Sequence, residues 1–197
     1  RSNLKQFIKL RITVTRPISS WGPIRSKKKL QEICSVSEKL LMINQNAHEP
    51  GIYGAMNEGF KNIKEDEWLF FWGDDDWFYA SNTLENLASE IKQNPKNQLV
   101  ICQGQYVDRQ TGDLSRKSIF IKNKHKRILN NKLFRRLLFY GFSPPHQATG
   151  FSSEICKKVR YYSEKLELVA DLDLFLKISK VNNLSILNLN NKIVLMS

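Results

Sequence analysis

The chain has 197 residues, of which 41% are hydrophobic and 25% are charged. This length and composition suit one globular domain with a hydrophobic core, and they exclude an intrinsically disordered chain. No apolar run approaches the roughly 20 residues that a membrane-spanning helix requires, and no secretory signal is visible. The formal net charge of +12 favours an anionic partner, which could be nucleic acid, an anionic membrane face or a phosphorylated substrate.

Apolar periodicity and turn residues predict strands that alternate with helices along the chain. The predicted strands cover residues 10–15, 39–45, 68–72, 98–108, 114–122, 184–189 and 192–196. The predicted helices cover residues 27–40, 51–63, 81–95, 127–141, 152–159 and 170–181. This order, with one antiparallel hairpin at residues 98–122, predicts an α/β fold built on a mixed sheet.

Two of the predicted helices carry recognisable end signals. Asn82 and Glu85 have the spacing of a capping box, in which two side chains cap each other's backbone, and Pro95 stops the same helix. Gly141 is expected to end the helix at residues 127–141. These signals predict where the helices begin and end, independently of their apolar faces.

The basic and cysteine residues exclude some kinds of site. Lys and Arg concentrate at residues 25–29, 122–127 and 135–136, without the interleaved aromatic residues of a nucleic-acid stacking platform. The cysteines are far apart and outside any CxxC pattern, which predicts reduced core thiols in a cytosolic setting, without a disulfide framework or a zinc site. They are Cys34, Cys102 and Cys156.

Three acidic residues follow the most apolar predicted strand, in the stretch EWLFFWGDDDWFY. Ligands of open α/β sheets bind just beyond the carboxyl ends of strands, where Asp74, Asp75 and Asp76 are expected to lie. Carboxylates this close disfavour joint ionisation unless a cation compensates, and Mg²⁺ or Mn²⁺ suits such a site together with substrate phosphates. The triplet therefore predicts a divalent-metal site for a phosphorylated ligand. The alternative is a solvent-exposed acidic turn before a helix N-terminus.

Four segments occur in an order that resembles the family 2 glycosyltransferases of the GT-A fold. They are EPGIYGAMNEGF (49–60), FFWGDDDWF (70–78), HQATGF (146–151) and LVADLDLFLK (168–177). The resemblance covers residues 39–197 of an expected single domain at 1–197, whereas 1–38 match poorly. It implies a mixed α/β sheet flanked by helices, from which the first strand–helix unit is missing.

The resemblance assigns roles to four acidic residues. Asp75 and Asp76 match the paired acids of the family's metal motif, and Asp74 completes a literal D-x-D. Asp76 is expected to ligate Mn²⁺ or Mg²⁺ directly, with Asp74 turned towards the ribose or a metal-bound water. Asp171 matches the family's general base, although a helix N-terminal acid is the alternative. Asp173 would point to nearly the opposite side of a helix.

Five further residues are expected to line the binding site. His146 and Gln147 match the family's H-Q segment, which implies contact with the acceptor or the diphosphate. Glu49, Tyr53 and Asn57 fall on the turn and helix that border the sugar pocket in relatives. Trp72 and Trp77 could stack on sugar rings, although packing is the simpler interpretation.

The resemblance implies inverting transfer from a nucleotide-diphosphate sugar to the hydroxyl of a glycan or lipid-linked acceptor. Residues 11–29 contain no Asp where relatives have an Asp-bearing nucleotide-binding loop, and the chain begins with Arg1. We therefore expect either a missing N-terminal segment or a degenerate nucleotide half-site. The alternatives are a catalytically inactive binding relative and a basic nucleic-acid-binding module. The expected location is cytoplasmic, with a peripheral contact to the anionic inner membrane face as a hypothesis.

Overall fold

A computed structural model describes residues 9–14, 40–43, 51–73, 76–108, 110–122, 127–163, 165–166 and 169–196. The predicted helix at residues 27–40 lies almost entirely outside these ranges. Glu49, Asp74 and Asp75 also lie outside the described residues.

The described residues form one sheet and the helices that cover it. The strands are β1 Lys9–Val14, β2 Leu40–Ile43, β3 Glu67–Trp72, β4 Trp77–Phe78, β5 Leu99–Val107, β6 Leu114–Ser118, β7 Arg127–Asn130, β8 Thr149–Ser152 and β9 Ser185–Met196. The helices are α1 Gly51–Asn62, α2 Thr83–Gln93, α3 Asn131–Phe139, α4 Ser153–Val159 and α5 Ala170–Ile178, with a 3₁₀ turn at His146–Ala148. Within the described ranges, no helix is long and apolar enough to cross a membrane.

The sheet is mixed, as the sequence predicts. Its strand order is β2-β1-β3-β8-β5-β9-β4, with β6 paired to β5 and β7 paired to β9. β1 runs parallel to β2 and β3, while β8 runs antiparallel to its neighbours β3 and β5. The carboxyl ends of β1, β2 and β3 therefore share one edge with the start of β8. This edge brings the segments after β3 and before β8 together.

Side-chain alternation along β3 divides the core between the two faces of the sheet. Trp68, Phe70 and Trp72 pack on one face, together with the apolar stripe of α2. Leu69 and Phe71 pack on the other face, against α1, α3, α4 and α5. A strand buried on both faces reads as a continuous apolar run, which is why 68–72 is the clearest strand in the sequence.

A buried ion pair joins β1 to β3 at the edge opposite their carboxyl ends. Arg11 Nε lies 2.7 Å from Glu67 Oε2, and the Lys64 backbone N–H donates to the same oxygen at 2.9 Å. Burial alone would raise the pKa of Glu67, but these donors and the positive charge of Arg11 hold the pKa below its usual value. The pair therefore favours the observed register of the two strands.

The predicted helix at residues 127–141 is wrong in its first turn. Arg127–Asn130 instead forms β7, which pairs antiparallel with β9. The helix begins after Asn130, whose side-chain oxygen accepts a hydrogen bond from the Leu133 N–H at 3.0 Å. The reason is non-local, because β9 offers backbone partners that residues 127–130 use in place of a helical turn.

The predicted end of this helix is confirmed. Gly141 has a φ of 82°, and its N–H donates to the Leu138 carbonyl, while the Phe142 N–H reaches back to Leu137. These two bonds form a Schellman motif, which requires a left-handed residue and so favours glycine.

Three other sequence predictions need correction. Asn82 precedes α2 but makes no side-chain capping bond, and the Thr83 hydroxyl accepts the Ala80 N–H at 2.9 Å. β6 ends at Ser118 and does not continue to residue 122. The two predicted closing strands are one strand, β9, whose register with β5 shifts after Asn188.

Candidate functional site

The end of β3 and the 3₁₀ turn before β8 meet at the sheet edge. The indole N–H of Trp72 donates to the Gln147 carbonyl at 2.9 Å. One residue earlier in β3, the Phe71 ring stacks on the imidazole of His146, with centroids 5.6 Å apart and planes 17° apart. The strand before the acidic triplet and the H-Q segment, 75 residues apart in sequence, are therefore in direct contact.

Asp76 is hydrogen-bonded to Gly73, the first residue after β3. Its Oδ2 accepts the Gly73 N–H at 2.6 Å, and its own N–H donates to the Gly73 carbonyl at 3.4 Å. The side chain is half-buried. These two bonds orient the carboxylate relative to the end of the strand.

Asp76, the acid of the triplet that the structure describes, fits a hard divalent cation in its chemistry. A carboxylate offers about four lone-pair positions, so an oxygen that already accepts one N–H can also ligate a metal. Mg²⁺ and Mn²⁺ sites commonly use only one or two carboxylates and complete the coordination with water and phosphate. Within the described ranges, no three His, Cys, Asp or Glu side chains form a metal-binding group. Asp74 and Asp75 lie outside those ranges.

Tyr162 is the centre of a second part of the site. Its side chain is only 3% exposed, and its hydroxyl hydrogen-bonds with Nε2 of His146. The Asn57 side chain makes two hydrogen bonds to the Tyr162 backbone. Its oxygen accepts the Tyr162 N–H at 2.7 Å, and its nitrogen donates to the Tyr162 carbonyl at 3.2 Å. The Tyr53 ring stacks on the Tyr162 ring at 5.5 Å.

Desolvation sets the charge state of two groups in this cluster. Desolvation lowers the pKa of His146 to about 4, although the negative charge of Asp171 opposes the shift. Desolvation also raises the pKa of Tyr162 well above its usual value, and the nearby Asp171 charge acts in the same direction. At neutral pH the imidazole and the phenol are therefore both uncharged.

Asp171 stands in the first turn of α5 and acts electrostatically on this cluster. Its Oδ1 accepts the Leu172 N–H at 3.0 Å. Burial raises the pKa of Tyr53, and the charge of Asp171 raises it further. Asp173 instead forms an ion pair with Lys177 at 2.6 Å. Of the two acids on α5, Asp171 is thus the one placed beside the aromatic cluster.

The structure brings six of the predicted site residues to one region. Tyr53, Asn57, His146 and Asp171 surround Tyr162, while Gln147 and Asp76 lie at the end of β3. Asn57 is 4% exposed, and its amide supports the Tyr162 backbone; whether it also borders a sugar pocket stays a prediction. The roles predicted for Asp171, His146, Gln147 and Tyr53 likewise stay predictions.

Sequence reasoning missed Tyr162. It follows α4 in the run VRYYSEK, which has no motif and no periodicity that marks its second tyrosine as buried. The two tryptophans differ in the structure. Trp72 is buried and packs edge-on against Phe78 at 4.6 Å, whereas Trp77 is exposed. Packing is therefore the role seen for Trp72.

A mixed sheet flanked by helices, with Asp76 and the H-Q segment near the end of β3, agrees with the GT-A fold of glycosyltransferases. The sequence profile of glycosyl transferase family 2 matches residues 23–159, and the chain belongs to that family. The predicted family and fold class are thereby confirmed.

Solved structures resemble the chain at low sequence identity. The crystal structure of S. aureus TarS 1–349 has a TM-score of 0.58 and 13% identity, over 96% of this chain and 60% of that one. A longer S. aureus TarS structure has a TM-score of 0.58 and 14% identity, over 96% of this chain and 36% of that one. The chain thus spans less than two thirds of either relative. No curated protein matches the sequence.

Proposed function

We propose that the chain is the catalytic domain of an inverting glycosyltransferase that moves a sugar from a nucleotide-diphosphate donor to an acceptor hydroxyl. The acceptor would be a glycan, a cell-surface polysaccharide or a lipid-linked saccharide. The observation that carries this proposal is the meeting of Asp171, His146 and Tyr53 around Tyr162, beside the end of β3, which Asp76 follows four residues later. Membership of family 2 supports a nucleotide-sugar donor and an acceptor in general.

In this proposal Asp171 takes the proton of the acceptor hydroxyl as its oxygen attacks the anomeric carbon. A general base placed in this way commonly contributes about 10²- to 10⁴-fold to the rate. Because His146 is neutral at physiological pH, it does not form an imidazolium ion pair with Asp171. The carboxylate is then available to the acceptor.

His146 and Tyr53 would form the wall against which the acceptor is oriented, with Tyr162 behind them. Asn57 fixes the Tyr162 backbone, and Tyr162 in turn fixes the imidazole through its hydroxyl. Orienting two bound substrates is worth several kcal/mol of the barrier, so this support would matter to the rate. Gln147, Glu49 and Asp75 are proposed to contact the donor or the acceptor.

Asp76 and Asp74 would hold a Mn²⁺ or Mg²⁺ ion. Such an ion, when bound, stabilises the negative charge that develops on the departing nucleoside diphosphate. The Gly73 N–H, which donates to Asp76 Oδ2, would keep that carboxylate in position during metal and diphosphate binding.

The test is thermal stabilisation of the chain by nucleoside diphosphates, measured across UDP, GDP, CDP and ADP with and without Mn²⁺. We expect at least one nucleotide to raise the melting temperature only when the metal is present, because ligands that bind the native state stabilise it. Asp76→Ala should remove this shift. Asp113→Ala, at the exposed turn between β5 and β6, is the matched control and should retain it. An unchanged shift in Asp76→Ala, or no shift with any nucleotide, would contradict the metal-dependent proposal.

A peripheral contact with an anionic membrane face is the proposed route to a lipid-linked acceptor. It rests on the net charge of +12. Sedimentation with phosphatidylglycerol vesicles should recover more protein than sedimentation with neutral phosphatidylcholine vesicles. Equal recovery would refute this part of the proposal.

A further inference from the structure

An open pocket of about 730 Å³ lies between the β5–β6 hairpin and β9, apart from the aromatic cluster. Its lining combines three lysines, two amides and one aliphatic side chain: Gln103, Lys117, Ile119, Lys122, Asn190 and Lys192. No acidic residue is among these lining residues. None of the three lysines forms an ion pair within the part of the chain that the structure describes. The pocket therefore concentrates positive charge without a described counter-charge.

This pocket, called the lysine pocket below, lies beside a bulge in β9. The pairing of β5 with β9 passes from Ile101–Asn188 to Gln103–Lys192, so one residue of β5 faces three residues of β9. Such bulges bend a strand and redirect its side chains. Here the bulge lets Asn190 and Lys192 both line the pocket, and Gln103 Nε2 donates to Asn190 Oδ1 at 3.3 Å. The pocket is thus a consequence of strand geometry and not of a flexible loop alone.

The lysine pocket is connected to the candidate active site through β4. β4 follows Asp76 directly and pairs with the end of β9. The next residue, Tyr79, accepts a hydrogen bond from Lys192 Nζ at 3.3 Å, and its ring lies 4.8 Å from the same ammonium. Three residues of chain span at most about 10 Å, so Lys192 lies within a few sugar lengths of the turn at Asp76.

Resting on the glycosyltransferase function proposed above, we propose that the lysine pocket binds anionic groups of a polyanionic acceptor glycan, such as phosphodiesters or carboxylates along its chain. Ammonium groups bind such anions as point charges, and the two amides add polar contacts. The concave shape disfavours a flat membrane surface. None of the described lining residues is aromatic, and the neighbouring Tyr79 ring already contacts the Lys192 ammonium, which disfavours stacked nucleic-acid bases. Binding energy gained there would help to hold the reacting hydroxyl of a long acceptor near the candidate active site.

The test compares two triple variants with the same loss of charge. Lys117→Gln, Lys122→Gln and Lys192→Gln together remove the pocket lysines. Lys96→Gln, Lys132→Gln and Lys180→Gln remove three exposed lysines elsewhere and serve as the matched control. The probe is a fluorescently labelled oligogalacturonate, with sodium tripolyphosphate as competitor and neutral dextran as the uncharged comparison. We expect at least tenfold weaker binding in the pocket variant and near-unchanged binding in the control.

Three results would overturn the proposal. The first is equal weakening of oligogalacturonate binding in both triple variants, and the second is binding of dextran as tight as that of oligogalacturonate. The third is pocket-dependent binding of oligothymidylate or phosphatidylglycerol vesicles that is tighter than that of oligogalacturonate. The nucleotide and Mn²⁺ stabilisation assay, run on the same variants, reports separately on the transferase function. Failure of that assay in the unsubstituted chain contradicts the enzyme, whereas loss of the difference between the two triple variants contradicts the pocket.

Discussion

The aromatic cluster around Tyr162 and the lysine pocket beside β9 are built in opposite ways. The cluster is centred on the buried residues Tyr162 and Asn57, whose polar groups have partners, as in the two hydrogen bonds between the Asn57 side chain and the Tyr162 backbone. The pocket is open, and its charges face water. Removing a polar group from the aromatic cluster leaves its buried partner without a hydrogen bond. At the lysine pocket, water can take the place of a removed polar group.

This difference predicts whether a substitution changes folding stability together with activity or changes binding alone. Substitutions in the aromatic cluster are expected to alter folding stability as well as any activity. Substitutions in the lysine pocket should alter binding alone, because exposed charges contribute little to stability. Asp171 is the informative exception, since it is half-buried beside the cluster but supports none of its described hydrogen bonds.

The largest expected effect is that of Asp171→Asn on sugar transfer. Loss of a general base should lower the rate by about 10²- to 10⁴-fold. The melting temperature should change little, because Asn keeps the shape of Asp. The rate is measured as nucleoside diphosphate release with donor and acceptor present.

The matched variant is Asp173→Asn, which removes only the ion pair with Lys177 on the same helix. It should retain most of the activity, because the Asp173 carboxylate pairs with Lys177 and not with the aromatic cluster. Equal losses of activity in Asp171→Asn and Asp173→Asn would contradict the assignment of the general base to Asp171.

The second effect is a dependence of stability on pH that comes from His146. Its pKa is about 4 in the folded chain and 6.5 when unperturbed, so between these values the unfolded state binds a proton that the folded state does not. The free energy of unfolding should therefore fall as the pH is lowered from 6.5 towards 4, by about 3 kcal/mol for this group. Above pH 6.5 the contribution of His146 to the free energy of unfolding should not change with pH.

Urea unfolding at pH 7.0, 6.0, 5.0 and 4.5 measures this dependence. His146→Gln removes the titrating group, so its stability should fall less steeply than that of the unsubstituted chain. Carboxylates remote from His146 are common to both proteins and cancel in the difference. Parallel curves for the two proteins would mean that the cluster does not hold His146 neutral.

The smallest effect is the difference in stability between losing the buried Asn57 amide and losing the half-buried Gln103 amide. Asn57→Ala leaves the N–H and the carbonyl of the buried Tyr162 backbone without these partners, which should cost about 2 kcal/mol of unfolding free energy. Gln103→Ala breaks a 3.3 Å bond to Asn190 at the open pocket and should cost less than about 0.5 kcal/mol. Chemical denaturation of both variants provides the measurement. Equal losses of unfolding free energy in the two variants would contradict the contrast between the aromatic cluster and the open lysine pocket.

Much of the fold could be predicted because local signals agree with the tertiary structure. The run of residues 68–72 is buried on both faces, and Gly141 ends α3 in the left-handed conformation that glycine favours. Residues 127–130 could not be predicted in this way. Their sequence suits the helix that follows, and only the distant strand β9 makes them a strand.

The candidate site divides in the same manner. The order of its motifs is visible in the sequence, so Asp76, His146, Gln147 and Asp171 could be named before any contact was known. Tyr162 could not, because its importance lies in partners 105 residues and 16 residues away along the chain.

The sequence by itself determined the alternation of strands and helices, because apolar spacing is a local property, and its motifs carried the resemblance to the family. Only the tertiary structure decided that His146 is neutral, that Asn57 supports Tyr162, and that a bulge in β9 gathers lysines around a pocket. Desolvation, shared hydrogen bonds and strand register arise between distant segments. Their energies therefore depend on the folded arrangement and not on neighbours in the chain.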